Sequence, residues 1–367
     1  MHINELDTPA LLVDVDQLAR NIAMMQQQIS ELGLNLRPHC KAHKTPELAL
    51  QQIAAGAKGV CVAKLGEAEV LARGGVQDIL ITTPIAGLKK VQRLIALQRQ
   101  YPTTRLIQVV DHIEQIQLIG KEAQQQQVSI PLLIEVESGQ QRCGVEVGDE
   151  LLNLIRAIQA CNGVSYLGVQ AYSGHLQQVK TLNERNHAAR EAVLPLFTYI
   201  EQVLTPLGLA PSVVSGGGTG TFAAYQGLGF TEIQAGSYVF MDASYRSIED
   251  LQQASEPLFG CALSVLATVI STPKPHRAVV DAGMKSLSID LGMAQVLDDD
   301  SIRYQCGGDE HGILHLSQQS QKLRIGDKIL LLPSHCDTTV NNFDTFVLVS
   351  GTEVVGEVAI AARGRCD

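Results

Sequence analysis

The sequence predicts an α/β fold, a closed (β/α)8 TIM barrel followed by an all-β domain. Apolar, β-branched runs alternate with helix-period segments from about residue 34 to residue 240. That alternation implies a parallel sheet, and a count of eight strands favours a barrel over an open doubly wound sheet. Beyond about residue 255, helix periodicity fades and short strand-like runs separated by turn residues take over.

The elements follow in order. Residues 10–15 read as a strand that precedes the first helix and lies outside the eightfold alternation, so it is expected to pair in the C-terminal part. Residues 16–32 place Leu18, Ile22, Met25, Ile29 and Leu32 at helical spacing, with Asp16 as the expected N-cap and Gly33 as the C-cap. The barrel strands are read at 34–39, 59–63, 78–82, 105–110, 131–136, 166–171, 211–215 and 231–235. Thr45-Pro46-Glu47 is a helix start, with proline at the first helical position and an acid in the first turn. Asp111 is expected to cap a helix beginning at His112. The later strands are read at 262–270, 277–281, 313–316, 328–332 and 343–349. The pattern breaks near 246–258, which gives a barrel over 16–250 and a β domain made of 1–15 and 251–367.

Composition narrows the function classes. With 45% hydrophobic and 18% charged residues the chain is globular. A formal charge of −10 argues against nucleic-acid binding. No apolar run reaches the roughly 18 residues a membrane span needs. The first residues lack the charged and apolar segments of a secretory signal. Eight scattered cysteines without a Cys-x-x-Cys pair point to a reducing cytoplasm.

Barrel enzymes place their chemistry at the C-terminal ends of the strands, and the unusual residues fall there. Lys41, in Arg37-Pro38-His39-Cys40-Lys41-Ala42-His43-Lys44, follows the first strand. A lysine ending a buried strand loses hydration, which lowers its pKa, and such an amine condenses with a carbonyl. The alternative is a solvated basic turn. Lys41 is preferred over Lys44 because it ends the strand, whereas Lys44 abuts the helix start and is expected near solvent. Arg142 follows strand five and Tyr172 strand six, with His175 three residues on. Gly216-Gly217-Gly218-Thr219-Gly220-Thr221 follows strand seven, and Gly236-Ser237-Tyr238 follows strand eight. Loops after strands seven and eight commonly bind phosphate, and glycines there let backbone N–H groups approach its oxygens. In the β domain, Pro333-Ser334-His335-Cys336-Asp337 reads as extended, which puts His335 and Asp337 on one face as a candidate pair of divalent-metal ligands. Two ligands are too few for a structural zinc site and suit an open catalytic one. The alternative is a His–Asp pair at a turn. His112 and His276 read as surface residues, His187 lies in a polar helix, and Glu310-His311 is a weaker candidate for the site.

Taken together, Arg37-Pro38-His39-x-Lys41-x-His43-Lys44, Gly-x-x-Arg142-x-Gly144, the glycine run 216–221, Gly236-Ser237-Tyr238-Val239-Phe240-Met241-Asp242, Asp281-Ala282-Gly283-x-Lys285 and His335-x-Asp337 resemble the D-threonine aldolase and D-serine dehydratase family. These are pyridoxal 5′-phosphate (PLP) enzymes of the alanine racemase type, and the likeness runs nearly the whole length. It implies a PLP barrel, a β domain that takes in the N-terminal strand, and a homodimer with each active site shared between subunits. It makes Lys41 the Schiff-base lysine, places Arg142 at the PLP phenolic oxygen and Tyr172 at the pyridine nitrogen, and assigns the phosphate to Gly217, Gly218, Thr219, Gly236, Ser237 and Tyr238.

His335-x-Asp337 is similar to the aldolase branch, whose His-x-Asp suits Mn²⁺ or Mg²⁺, whereas the dehydratase branch carries His-x-Cys, suited to Zn²⁺. Cys336 is expected to point away from both ligands. The family's aldolases carry Gln-His soon after the sixth-loop tyrosine, and here the pair is Gln177-Gln178. That leaves His175 or a metal-bound hydroxide as the base. The resemblance thus implies metal-assisted retro-aldol cleavage of a D-3-hydroxy amino acid to glycine and an aldehyde. The alternatives are a D-3-hydroxy amino acid dehydratase, an amino acid racemase, and a non-catalytic PLP-binding protein.

Overall fold

The computed structural model describes residues 1–251, 257–297 and 299–367. Its first strand, β1 (Ala10–Asp14), leads into a helix, Val15–Glu31. Asp14, not Asp16, caps that helix, because its Oδ1 accepts the N–H groups of Asp16 and Gln17 at 3.0 and 2.9 Å. At the other end Gly33 adopts φ +70°, its N–H bonds Ser30 O and that of Leu34 bonds Ile29 O. This left-handed cap turns the chain into the barrel. His112, not Asp111, caps the helix Ile113–Gln125, through Nδ1 accepting the Glu114 N–H.

Eight parallel strands follow: β2 (Asn35–Leu36), β3 (Val60–Val62), β4 (Asp78–Ile81), β5 (Arg105–Val110), β6 (Ile130–Glu135), β7 (Val164–Ala171), β8 (Val213–Gly216) and β9 (Glu232–Ile233). They pair in the order β2-β9-β8-β7-β6-β5-β4-β3. The ring closes where the Cys61 N–H donates to Pro38 O at 2.8 Å and His39 bridges Cys61. β2 and β9 are shorter than expected, yet pairing continues past them through Arg37 N–H to Ile233 O and His39 N–H to Ala235 O, each 2.9 Å.

Strand register sorts the barrel interior into layers. Cys61, Leu80, Ile107, Val109, Leu133 and Val213 form an apolar layer. Two residues further along their strands, Thr82, Glu135 and Ser215 occupy the same face, joined by Gln170 and Gln234. Gln170 Nε2 donates to Thr82 O, across the barrel, and to Glu135 Oε2, while Gln234 Nε2 donates to Gln170 Oε1 and Ser215 Oγ, both at 2.9 Å. A buried amide network of this kind holds its place only when its donors are satisfied. It forms a polar floor beneath the barrel mouth. Below the apolar layer, Arg37 lies between Glu232 and Asp78.

Apart from the start of the Val15–Glu31 helix and short helical turns, the other unit is all-β. It is built on β10 (Leu263–Lys274), β11 (Arg277–Val280), β12 (Gln295–Val296), β13 (Ile302–Cys306), β14 (Gly312–Leu316), β15 (Lys328–Leu332), β16 (Thr345–Ser350) and β17 (Glu353–Ala359). Its main sheet runs β13-β14-β11-β10-β1-β16-β17, with β15 pairing β10 and β12. β1 is antiparallel to β10 and parallel to β16, so the strand outside the eightfold alternation pairs as expected. Leu12, Leu266, Val347 and Val349 bury its core. β12 is only two residues long and β13 alternates with Arg303 and Gln305, so neither announces itself in sequence.

By internal compactness the chain divides into residues 1–24, 42–45 and 237–364, and residues 25–41, 46–236 and 365–367. The boundary expected at 250/251 adjoins residues 252–256, which lie outside the described residues. Among the described residues no helix is long and apolar enough to cross a membrane.

Candidate active site

The mouth of the barrel is built from loops leaving the strands. Lys41 sits in a single turn, Cys40–Ala42, directly after the first barrel strand and is half-buried. Its N–H donates to His39 Nδ1 at 3.3 Å, and His39 Nε2 meets Thr82 Oγ1 at 3.1 Å. The backbone of Lys41 is therefore tied to the polar floor through the histidine two residues before it. Lys44 corrects an expectation: it is only 8% exposed, not near solvent. It holds a left-handed φ of 55°, and its carbonyl accepts the Ala362 N–H.

The loops after β6 and β7 are fastened together. Ser173 Oγ donates to Ser138 O, and the Gly174 N–H donates to Gln140 Oε1. A Cβ on Gly139 would come within 3.3 Å of the His175 ring, which is exposed. Arg142 places its guanidinium 5.7 Å from the centre of the half-buried Tyr172 ring, a cation–π contact. The structure thus brings Arg142, Tyr172 and His175 to one rim.

The glycine loop differs from its expected form. The Gly218 N–H donates to Thr221 Oγ1 at 3.2 Å and the Gly220 N–H to Gln177 Oε1 at 2.9 Å. Those two amides are turned into the protein and spent there. Glycine is needed instead for room: a Cβ on Gly218 would sit 2.6 Å from Gln177 Oε1, and one on Gly217, at φ +72°, 2.8 Å from the Tyr225 ring. Gly236 ends the same barrel unit. In the other unit Ser237 is buried at the start of a turn, Ser237–Val239, and Tyr238 is wholly buried against Phe259 at 5.9 Å.

Sequence reasoning missed Glu135. It is 3% exposed, and burial pushes its carboxyl up to about 8, against the lowering effect of the Gln170 hydrogen bond and the Arg142 charge; Asp111 and Glu137 push it further up. The signal was a charged residue closing an otherwise apolar strand, Ile130–Glu135. The folded protein holds this proton where the unfolded chain, near 4.5, releases it. Stability is therefore expected to fall as pH rises from about 4.5 to about 8 and to flatten above that. Glu135→Gln should remove that slope and raise stability at pH 8 by about 2–4 kcal/mol. Urea unfolding at pH 5 and pH 8 checks it, and an unchanged slope would count against a buried neutral carboxyl.

In the all-β unit the His335 segment departs from its expected extended form. His335 is extended (φ −144°, ψ 117°), but it caps a short helix, Cys336–Val340, so Asp337 lies in a helical first turn. The two side chains are related by a helix start rather than by strand alternation. His335 Nδ1 meets Asp290 Oδ2 at 2.7 Å, an acid 45 residues away that sequence reasoning did not find. Burial alone would raise Asp290, yet hydrogen bonds from Ser288, His335 and Thr338 hold it below the usual range. Asp242 caps the helix Ala243–Arg246 and accepts the Cys336 N–H at 2.9 Å, which fixes the start of the His335 helix. Burial raises the Asp242 carboxyl, opposed by His335 and aided by Asp337. Cys336 is fully buried, with its Sγ 3.4 Å from Asp337 Oδ1.

The donor sets suit the two expected groups. Lys41, the Arg142 guanidinium over the Tyr172 ring and the glycine loop all follow the C-terminal ends of barrel strands, and these residue types fit a phosphorylated pyridine aldehyde. A histidine whose Nδ1 is held by a carboxylate keeps Nε2 as its remaining nitrogen, the arrangement that metal-ligating imidazoles commonly use. Among the described residues no three His, Cys, Asp or Glu side chains group to hold a metal by themselves.

Residues 13–244 match the family described as "Alanine racemase, N-terminal domain", and residues 262–349 match "Putative serine dehydratase domain". The chain is 35% identical over 369 residues to a 3-hydroxy-D-aspartate aldolase of Paracoccus denitrificans (strain Pd 1222), covering 100% of this chain and 94% of that protein. The crystal structure of a D-threonine aldolase from Filomicrobium marinum superposes with a TM-score of 0.94 at 37% identity, covering 99% of this chain and 97% of that one. A D-threo-3-hydroxyaspartate dehydratase of Delftia sp. (strain HT23) is 34% identical over 364 residues, covering 93% of each chain.

Proposed function

The chain belongs to the alanine racemase-like family, and on that premise we propose that it is a PLP-dependent, divalent-metal-assisted lyase that cleaves D-3-hydroxy amino acids to glycine and an aldehyde. The observation that carries this reading is the half-buried Lys41, its backbone tied to the polar floor at the end of the first barrel strand, on a barrel whose later strand ends bear Arg142, Tyr172 and the glycine loop.

When bound, PLP supplies the sink for the electron pair released at Cα, and a divalent ion supplies the charge that makes the substrate's β-hydroxyl acidic. Lys41 would hold the cofactor through its amine. Arg142 and Tyr172 would orient its ring, the guanidinium offering N–H donors to an oxygen acceptor. His335 and Asp337 would hold the metal, with the Asp290 carboxylate on Nδ1 leaving Nε2 of His335 as the ligand nitrogen. His175, exposed on the rim and with nitrogen to spare, takes the β-hydroxyl proton as the carbonyl forms and the Cα–Cβ bond breaks. Glutamine at 178 cannot accept it. The likeness also favours a homodimer, readable by light scattering, and the thiols of all eight cysteines are free, as a cytoplasmic protein's would be.

The dehydratase relative supports a second reading that uses the same residues. Product analysis separates the two. D-threonine or D-3-hydroxyaspartate with enzyme, PLP and Mn²⁺ is expected to yield glycine. Ammonia and a 2-oxo acid instead would defeat the aldolase reading. EDTA is expected to abolish turnover while leaving the bound-PLP absorption intact, and full activity after chelation would remove the metal from the scheme.

A further inference from the structure

We propose that Gln177 is a positioning residue that sets the glycine loop to accept the cofactor's phosphate, so that preference for the phosphorylated cofactor depends on it. The proposal rests on the PLP reading above but concerns a residue to which that reading gives no role.

Gln177 follows the turn Gly174–Leu176 and is 4% exposed. Both ends of its amide are committed to the loop after β8. Oε1 accepts the Gly220 N–H at 2.9 Å, and Nε2 donates to Thr221 Oγ1 at 3.0 Å. That hydroxyl in turn accepts the Gly218 N–H at 3.2 Å. From the other side Arg185, itself buried, donates from Nε to Gly220 O at 2.6 Å, and from its guanidinium to Val179 O. With the N–H and C=O of Gly220 both bonded, the peptide planes on either side of it are held in place. Two glycines are required because Gln177 is there: a Cβ on Gly218 would meet its Oε1 at 2.6 Å and one on Gly220 its backbone O at 2.7 Å. A loop fixed before the ligand arrives loses less conformational freedom on binding. A neutral amide does this without placing a negative charge beneath a phosphate dianion, as glutamate would.

The test titrates apoenzyme with PLP and, separately, with pyridoxal, which lacks the phosphate. Gln177→Ala is expected to weaken PLP on the order of 10- to 100-fold while changing pyridoxal less than about threefold. The ³¹P resonance of the bound cofactor should move. Gln177→Glu should be at least as damaging. Thr221→Val, which removes one hydroxyl from the same network, should act in the same direction, and its combination with Gln177→Ala should be less than additive. Equal weakening of both cofactor forms, or an unchanged PLP-to-pyridoxal ratio, would overturn the proposal. If the unaltered protein takes up no PLP, the functional reading fails instead, and the two failures are told apart by that control.

Discussion

Replacing Lys41 by alanine is expected to lower turnover at least about a thousandfold and to abolish covalent retention of PLP after borohydride reduction. The expectation comes from where the residue is rooted. Lys41 lies in the turn that ends the first barrel strand, and its backbone N–H is held by the His39 ring, which reaches the Thr82 hydroxyl in the polar floor. A side chain carried on that base has its direction set by the first barrel strand rather than by a mobile loop. Peptide mapping of the reduced protein should place the label on Lys41. A label at Lys44, or one that survives in Lys41→Ala, would sink the assignment. Lys44 is the natural competitor because it is the more buried of the two, but its left-handed backbone and its carbonyl bond to the Ala362 N–H give it a structural role.

The barrel was legible because its strands are apolar on both faces and its helices are not. Residues 105–110, for example, are buried at five of six positions, and the sequence run matches the strand. Lys41, Arg142 and Tyr172 were legible for the same reason, since strand ends are easy to place once strands are. What stayed hidden depends on contacts distant in sequence. Asp290 meets His335 across 45 residues and Asp242 meets the Cys336 N–H across 94, and no local pattern encodes either. Alternation misled at His335, where a helix starts one residue later. The glycine run was read by its chemistry toward phosphate, whereas two of its amides turn toward Thr221 and Gln177. One signal was available and unread. Glu135, Gln170 and Gln234 are polar residues at or beside the ends of apolar strands, and together with Ser215 they form the floor.

Arg37→Ala is expected to cost about 3–5 kcal/mol of stability, read as a shift in the urea midpoint, because it strips the partner from a carboxylate that has nowhere else to go. Arg37 is fully buried; its Nε donates to Glu232 at 2.7 Å and its guanidinium reaches Asp78. Burial alone would lower its pKa, but Glu232 and Asp78 more than offset this, so the guanidinium stays charged. Glu232 is also fully buried, whereas Asp78 is partly exposed and has Arg105 at 3.6 Å. The loss therefore falls mainly on Glu232. Arg37→Met combined with Glu232→Gln should recover part of the stability, since it leaves no unpaired buried charge. Gly59 belongs to the same device, because a Cβ there would lie 2.6 Å from the guanidinium. The ion pair matters beyond stability. Arg37, His39 and Lys41 lie along one chain segment, and tying Arg37 to β4 and β9 holds in place the segment whose His39 reaches Thr82 and accepts the Lys41 N–H. Folded Arg37→Ala protein should accordingly retain less borohydride-fixed PLP per molecule. A loss of stability under about 1 kcal/mol, or full cofactor retention, would show that the strand holds its register without the pair.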